Sequence, residues 1–447
     1  MIDPEIGRNL LAKAKKKGAT EGDVIIVESH SFSVQVRMGK LDKISQANGK
    51  KLGLRLFFGK RTSISATSDL SRQSLETLLN NTCEMAQATE EDAFSGLPQP
   101  EELARNYPDL NLDDVSAEKM SVDQKIEMAK EMEQAALSFD PKITNSEGAD
   151  LSHYRSHIWY MNSHGFNGDF PAAGSSISVS PIAGLQGDMQ RDSWYSTHRK
   201  FSRLARPSEV GIKAAQRTVR RLGARKIKTC AVPVVFDPEM AGSLLGNLFS
   251  AVSGSALYRG ASFLVEKLNA RVASSLVTVI DDGTLPEGLG SKPFDGEGLP
   301  VRRKFVVENG ILRNYLLDTY SAKKLKMKST GNASRSIGDA PSVGPGNFFM
   351  KEGNDTPEEI IGSVKSGLYL TEMIGFGVNM ITGDFSRGAA GYWIENGELA
   401  YPVEEITIAG NLKEMFLNIE MVGKDLEFNG SIVAPTLKIS KMTIAGN

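Results

Sequence analysis

Cysteine is scarce in this chain of 447 residues, which contains only Cys83 and Cys230. Two cysteines cannot form the disulfide framework of a small secreted domain, and so few of them favour a reducing compartment. The sequence also lacks any apolar run near the ~18 residues that a membrane-spanning helix needs. Its first residues, MIDPEIGRNLL, have neither the basic start nor the apolar core of a signal peptide. We therefore expect a cytoplasmic protein that does not bind a membrane.

Histidine is also scarce, and its distribution is uneven. The histidines are His30, His153, His157, His164 and His198, so the last 249 residues (447 − 198) contain none. A zinc site built from histidines would therefore have to lie in the first half. His153 and His157 are close in sequence, but positions i and i+4 of a strand lie ~13 Å apart, too far to share one metal ion. We expect surface or cross-strand histidines there.

Neither sign of charge dominates, since the formal net charge is -2. This balance argues against a protein that coats nucleic acid. Residues 199–228 are an exception, because this segment contains many more basic than acidic side chains. It predicts a helix with a basic face around Lys213–Arg221. Two interpretations stay open: a groove for an acidic partner, or a face that is solvated or pairs with the acidic remainder of the chain.

The length and composition predict two or three globular domains. We predict an α+β fold, with an N-terminal α/β region of helices on antiparallel strands (1–225) and a β-rich C-terminal domain of antiparallel hairpins (226–447). An acidic, proline-rich linker separates two N-terminal subdomains at about 1–95 and 115–225. Asn-Gly pairs between strand-like runs predict tight turns, at Asn48–Gly49, Asn309–Gly310 and Asn396–Gly397.

The stretch FDPEMAGSLLG, residues 236–246, predicts a turn followed by a helix with Glu239 in its first turn. Metalloprotease helices have this layout, but there the acid lies beside histidines that bind zinc. Here Pro238 has no donor atom in its side chain, and Ser243 is a poor zinc ligand. The residues around Glu239 therefore predict no zinc site.

Two glycine-rich segments carry polar side chains that could form a site. The first contains Asp281, Asp282, Asp295 and Glu297, which could offer oxygens to Ca²⁺ or Mg²⁺. Their spacing is not that of an EF-hand loop, and acids at hairpin ends are common turn chemistry. The second segment, KSTGNASRS (328–336), lacks the residue order of a phosphate-binding loop. Both patterns favour ordinary loops over metal or nucleotide sites.

Eight short segments together resemble the TldD/PmbA family, also called TldD/TldE and once labelled modulators of DNA gyrase. The resemblance covers nearly the whole chain. Its segments are SHGF (163–166), VTVIDDG (277–283), FDGEG (294–298), VENGIL (307–312), YLLDTYSAKKL (315–325), STGNA (329–333), TPEEII (356–361) and YPVEEITIAGNL (401–412). It implies a cytoplasmic two-subunit metalloprotease that degrades or trims unfolded peptides, including peptide-antibiotic precursors. The TldD-like subunit binds zinc through H-E-x-x-x-H and a downstream cysteine.

This chain departs from that pattern at every ligand position. Pro238 and Ser243 stand where the resemblance implies histidines, and Val277 stands in place of the cysteine, whereas Glu239 is retained. The resemblance therefore implies a PmbA/TldE-like subunit with a degenerate, inactive site and no metal of its own. Zinc and the general base would then come from a TldD-like partner.

We also predict that the loops at 283–298 and 329–346 line a cavity shared with that partner. Asp295, Glu297 and Asn332 are the candidate substrate contacts. Two alternatives stay open: a peptide-binding or regulatory module without proteolytic activity, and an active homodimer whose metal site uses the paired histidines described above.

Overall fold

The first half of the chain folds around one antiparallel sheet. The structure is a computed structural model that describes residue 3, residues 5–185 and residues 187–446. Among these residues, the sheet contains β1 (Glu21–Arg37), β2 (Lys40–Phe58), β3 (Arg61–Thr67), β4 (Ile143–Asn162), β5 (Asn167–Leu185), β6 (Asp188–Arg191) and β7 (Trp194–His198). The strand order is β3-β2-β1-β4-β5-β6, and β7 also pairs with β5. Because β1 pairs with β4, strands from both predicted N-terminal subdomains share this sheet.

Helices pack on one face of this sheet. In chain order they are α1 (Glu5–Lys16), α2 (Arg72–Ala88), α3 (Ser116–Lys119), α4 (Val122–Leu137) and α5 (Pro207–Arg220). Val24 and Ile26 of β1 are buried in a core with α1 and α2, and Phe32 and Val34 in a core with α4 and α5. Because successive strand residues point to opposite faces, odd-numbered β1 residues such as Ile25 face away from the helices.

The predicted turn at Asn48–Gly49 is wrong. Both residues lie inside β2, where Asn48 is paired with His30 of β1. Asn48 Oδ1 lies 2.8 Å from His30 Nδ1, so the amide bonds across the strands and closes no turn. The chain instead reverses at Met38 and Gly39, whose φ angles are 51° and 72°. These left-handed values suit a two-residue hairpin loop, but methionine seldom adopts them.

The second half is rich in short strands. They are β8 (Cys230–Phe236), β9 (Val279–Asp282), β10 (Arg303–Glu308), β11 (Ile311–Leu312), β12 (Ala333–Ser334), β13 (Ser342–Val343), β14 (Asn347–Met350), β15 (Ser366–Ile374), β16 (Asp384–Glu395), β17 (Glu398–Asn411), β18 (Ile419–Val422), β19 (Ile432–Val433) and β20 (Leu437–Ala445). One sheet has the order β17-β16-β15-β8-β20-β18, another has the order β11-β10-β9-β14-β19, and β12 pairs with β13.

The predicted α+β class and β-rich second half are confirmed. Turns form at Asn309–Gly310 and Asn396–Gly397, where all φ angles are positive. The sheets are not purely antiparallel, however, because β8 pairs with β15 and β14 pairs with β19 in parallel. Parallel neighbours need crossover connections rather than hairpins. The hairpin pattern in the sequence gave no signal for these pairings.

Helix α6 forms the centre of the second half. The helices there are α6 (Pro238–Val252), α7 (Gly254–Tyr258), α8 (Thr319–Leu325), α9 (Pro357–Gly362) and α10 (Leu412–Leu417). α6 contacts β8 and β15 of one sheet and β14 and β19 of the other. Leu244, Leu245 and Leu248 of α6 are buried in the core between them. Within the described ranges, the helices are all too short or too polar to cross a bilayer.

Candidate functional site

The first turns of α6 line a cleft of about 890 Å³. Asp237 caps this helix, because its Oδ1 accepts a hydrogen bond of 2.8 Å from the N–H of Met240. Pro238, Glu239 and Ser243 line the cleft, whereas the leucines described above are buried on the core side. This division follows helical periodicity. α5 and β7 also line the cleft, α5 with Arg217 and β7 with Tyr195.

Arg217 lies among three carboxylates, two at the start of α6 and one between β6 and β7. Its Nη2 lies 3.5 Å from Oε2 of Glu239, and its Nη1 lies 3.7 Å from Oδ2 of Asp237. Its Nε lies 3.3 Å from Oδ2 of Asp192. We call Asp192, Asp237 and Glu239 the carboxylate cluster. The Arg217 side chain is only 17% exposed, so its charge is poorly screened by water.

Burial controls protonation in the carboxylate cluster. It raises the pKa of Asp237 to about 7, and the attraction of Arg217 offsets only part of this effect. It also raises the pKa of Glu239 against the same opposing attraction. Burial and the neighbouring Glu239 charge raise the pKa of the Tyr195 phenol to about 12. Burial lowers the pKa of Arg217, but the three carboxylates outweigh it and raise the value.

Ser243 is hydrogen-bonded to an arginine side chain. Its Oγ accepts a hydrogen bond of 3.3 Å from Nη1 of Arg387, whose Nη2 donates to the Met373 carbonyl oxygen at 3.3 Å. Val277 lies elsewhere: it is fully buried in the hydrophobic core of the second half and does not line the cleft. The structure therefore brings Pro238, Glu239 and Ser243 to one wall and separates Val277 from the cleft surface.

These residues do not fit a zinc ion. A catalytic zinc site needs three nitrogen, sulfur or oxygen ligands around one open position. Pro238 and Val277 offer no ligand atom, and a guanidinium already lies 3.5 Å from the retained Glu239. Within the ranges that the structure describes, no three His, Cys, Asp or Glu side chains are arranged to hold a metal ion.

Two of the predicted substrate contacts, Asp295 and Glu297, are 1% and 2% exposed. Asp295 Oδ1 accepts hydrogen bonds of 2.9 Å from the N–H groups of Glu297 and Leu299. Its Oδ2 accepts one of 3.0 Å from the N–H of Ala333. Glu297 Oε2 accepts a bond of 2.9 Å from the N–H of Thr319. Asp295 therefore joins the two glycine-rich segments, and Glu297 joins the first of them to the start of α8.

The third predicted contact, Asn332, belongs to the same buried network. Its Nδ2 donates to Oδ2 of Asp281 at 2.8 Å, and its Oδ1 accepts from Nζ of Lys304 at 3.0 Å. None of the three predicted residues lines the cleft at α6, but Asp295 lines a second cavity between the two halves of the chain. Their role in substrate binding stays a prediction.

Comparisons with known proteins place this geometry in a family. Models of the PmbA/TldA metallopeptidase domain 1, central domain and C-terminal domain match residues 22–86, 116–222 and 229–446. The metalloprotease PmbA of Escherichia coli O157:H7 is 38% identical, and the match covers 98% of this chain and 94% of that protein. The chain belongs to the PmbA/TldD family. The predicted family resemblance is thereby confirmed.

Solved structures of PmbA/TldD proteins have the same fold. A Bacteroides thetaiotaomicron protein that carries the label modulator of DNA gyrase superimposes with a TM-score of 0.92 at 30% identity, with 100% of both chains covered. TldE of Thermococcus kodakarensis gives a TM-score of 0.88 at 22% identity, over 98% of this chain and 99% of that one. The latter likeness concerns the fold alone.

The paired histidines of this PmbA/TldD chain have separate surroundings. His153 Nε2 lies 3.0 Å from Nζ of Lys125, and the ring stacks on Phe32 of the neighbouring strand. Burial and the Lys125 charge lower the pKa of His153 to about 4. His157 Nε2 instead lies 2.6 Å from Oδ2 of Asp169. The cross-strand position predicted for His153 is confirmed, and the two rings contact different partners.

The basic helix α5 uses several of its charges internally. Besides Arg217, Arg221 contacts Glu372 at 2.6 Å and Asp192 at 3.8 Å. Lys213 Nζ lies 5.4 Å from the centre of the Trp194 ring, a cation–π contact. Of the two interpretations given to this helix, pairing with the acidic remainder therefore describes Arg217 and Arg221. Asp192 was not predicted from the sequence, because it lies far from Arg217 in the chain and no motif links the two residues.

Proposed function

We propose that this chain is the subunit without zinc ligands in a TldD/TldE-type zinc metalloprotease complex. The complex degrades or processes unfolded peptides in the cytoplasm. A TldD-like partner supplies the zinc ion and the general base. The observation that carries the proposal is the cleft wall of α6, where Pro238 and Ser243 stand at the positions for which the resemblance implies histidines and Arg217 lies 3.5 Å from Glu239.

The first sheet supports a role in binding extended peptides. β3 pairs with β2 only from Leu52 onward, and β1 takes up the opposite edge of β2. In the part of the chain that the structure describes, no strand pairs with the outer edge of Lys40–Lys51. An unpaired edge can add a peptide strand through main-chain hydrogen bonds, which do not depend on peptide sequence. Two homologous subunits would associate around a pseudo-twofold axis.

The proposal is tested by zinc analysis and peptide hydrolysis, on the chain alone and mixed with a TldD-like subunit. We expect the isolated chain to be free of zinc and inactive, and the mixture to cleave an unfolded peptide faster than the partner alone. Stoichiometric metal and hydrolysis by the isolated chain would favour an active homodimer. Stable peptide binding without any gain in cleavage would favour a regulatory module.

Replacing Glu239 with glutamine is expected to change the turnover of the two-subunit complex by less than about twofold. We expect no water to be activated at Glu239, because Pro238 has no ligand atom and Ser243 is a poor zinc ligand. The matched control is the same substitution at the glutamate of the partner's H-E-x-x-x-H segment. It should reduce turnover by roughly 100-fold or more, as loss of a general base does. Comparable losses from both substitutions, with assembly intact, would contradict the proposed division of roles.

A further inference from the structure

A second cavity, of about 520 Å³, lies between the first sheet and the loops of the second half. Its floor is the sheet face that points away from the helices. Val27 of β1, Ile158 of β4 and Phe170 of β5 contribute to this floor and remain partly exposed there. A concave apolar surface with a few polar groups is the usual form of a binding site. The floor therefore suits an apolar side chain.

One wall of this cavity has unpaired main-chain groups. The segment 334–337 begins at the last residue of β12 and lines the cavity. Among the described residues, the backbone N–H groups of Arg335, Ser336 and Ile337 make no hydrogen bond, and neither do the carbonyl oxygens of Arg335 and Ile337. Main-chain groups beside an apolar floor are suited to pair with an extended peptide.

Lys292 adds a positive charge that is only partly used within the chain. Its Nζ donates a hydrogen bond of 2.7 Å to the carbonyl oxygen of Ala333. An ammonium group has three donors, and this bond uses one of them. Burial lowers the pKa of Lys292, with only partial compensation from Asp295 and Asp281. A carboxylate in the cavity would satisfy the remaining donors.

Asp295 also lines the cavity, but its charge does not prevent a second carboxylate from binding to Lys292. Asp295 is almost fully buried, and both of its oxygens accept backbone hydrogen bonds from the glycine-rich loops. Burial raises the pKa of Asp295, and Lys292 and the backbone N–H groups compensate only part of its negative charge. Lys51 lies on the lining as well and adds a further positive side chain.

From this arrangement we infer that the cavity binds the C-terminal end of an unfolded peptide whose last residues are apolar. The terminal carboxylate bonds to Lys292, the peptide backbone pairs with 335–337, and an apolar side chain contacts Val27, Ile158 and Phe170. This inference rests on the proposed function, because that function supplies unfolded peptides. It assigns to this chain the task of holding one end of the substrate.

The test is a fluorescence-anisotropy titration of the isolated chain, near pH 7, with a labelled unstructured peptide that ends in Leu-Phe. The peptide with a free carboxylate should bind at least about tenfold more tightly than its C-terminal amide, as expected for loss of one charge-assisted hydrogen bond. Lys292→Met should weaken binding of the free acid by a similar factor and leave binding of the amide unchanged.

A second variant covers the case in which Lys292→Met does not fold. Ser336 is exposed and lines the cavity, so Ser336→Asp adds a negative charge there without a change in packing. It should weaken binding of the free acid more than that of the amide. Ser68 is also exposed but does not line the cavity, so Ser68→Asp is the matched control and should have no effect.

Equal binding of acid and amide, or full binding to Ser336→Asp, would overturn the inference. Binding of dodecanoate without binding of the acid peptide would overturn the peptide assignment and point to a fatty acid. If the two-subunit complex cleaves peptides but the acid peptide does not bind here, the inference fails and the proposed function stands. If the peptide binds but the mixture shows no gain in cleavage, the inference stands and the proposed function fails.

Discussion

Replacing Arg217 with methionine is expected to lower the free energy of unfolding by about 3 kcal/mol near pH 8, the cost of breaking a buried ion pair. Methionine keeps most of the volume but leaves the carboxylate cluster without its counter-ion. The distances of 3.3–3.7 Å from Arg217 to the cluster place all three acids within ion-pair range. Denaturant unfolding of the purified chain, followed by tryptophan fluorescence, measures the change.

Arg206 on the N-terminal side of α5 provides the matched control. It forms an ion pair with Glu209, but its side chain is 79% exposed. An exposed pair of this kind contributes ~0–1 kcal/mol, so Arg206→Met should have a small effect. Equal effects of the two substitutions would mean that Arg217 does not compensate the cluster, and that the cluster is stable without a cation.

The fold was predictable where local chemistry decides the structure. Ser121 and Gln124 form the capping box that begins α4, and the stripe that contains Leu79 and Cys83 is buried on α2. The failure at Asn48–Gly49 has a physical cause, because this pair prefers a turn but β1 supplies a long partner strand on which Asn48 bonds to His30. Tertiary pairing therefore overrides the local preference.

Only the part of the site that is formed by residues adjacent in the sequence could be predicted. Glu239 and its neighbours could be placed on a helix because Asp237 and Pro238 are strong helix-start residues. The contacts of Arg217 with Asp192 and Glu239 could not be predicted, since they join elements that are distant in the chain. The same is true of Asp23, which is fully buried and bonds to Arg55 and Arg335 from both halves. An acid near the start of an apolar strand gives little sign of such a role.

Replacing Asp237 with asparagine is expected to stabilise the protein increasingly as the pH rises from about 5 to about 7. Burial raises the pKa of Asp237 to about 7 in the folded chain, against 3.8 for an unperturbed aspartate. Between these values the folded state holds more protons than the unfolded state, so this group makes stability fall with rising pH. The loss amounts to about 1 kcal/mol per pH unit and ends above the folded pKa.

Asparagine removes this ionisation but keeps the helix cap, because its amide oxygen can accept the hydrogen bond from the Met240 N–H. Denaturant unfolding of both proteins across the pH range gives the difference, in which other titrating groups largely cancel. Asp69→Asn is the control for the substitution itself, since exposed Asp69 also accepts a backbone hydrogen bond, of 2.9 Å from Ser71. A constant difference between Asp237→Asn and the parent protein would mean that Arg217 keeps Asp237 ionised throughout.

The two substitutions in the cleft should also depend on each other. Once Asp237 is neutral, Arg217 compensates fewer charges, so Arg217→Met should cost less in the Asp237→Asn background than in the parent chain. A double-mutant cycle near pH 8 measures this coupling, which we expect to be about 1 kcal/mol or more for groups in contact. Near pH 5 the coupling should shrink, because Asp237 is then protonated in the folded parent protein. Strict additivity near pH 8 would contradict the assignment of Arg217 as the counter-ion of these acids.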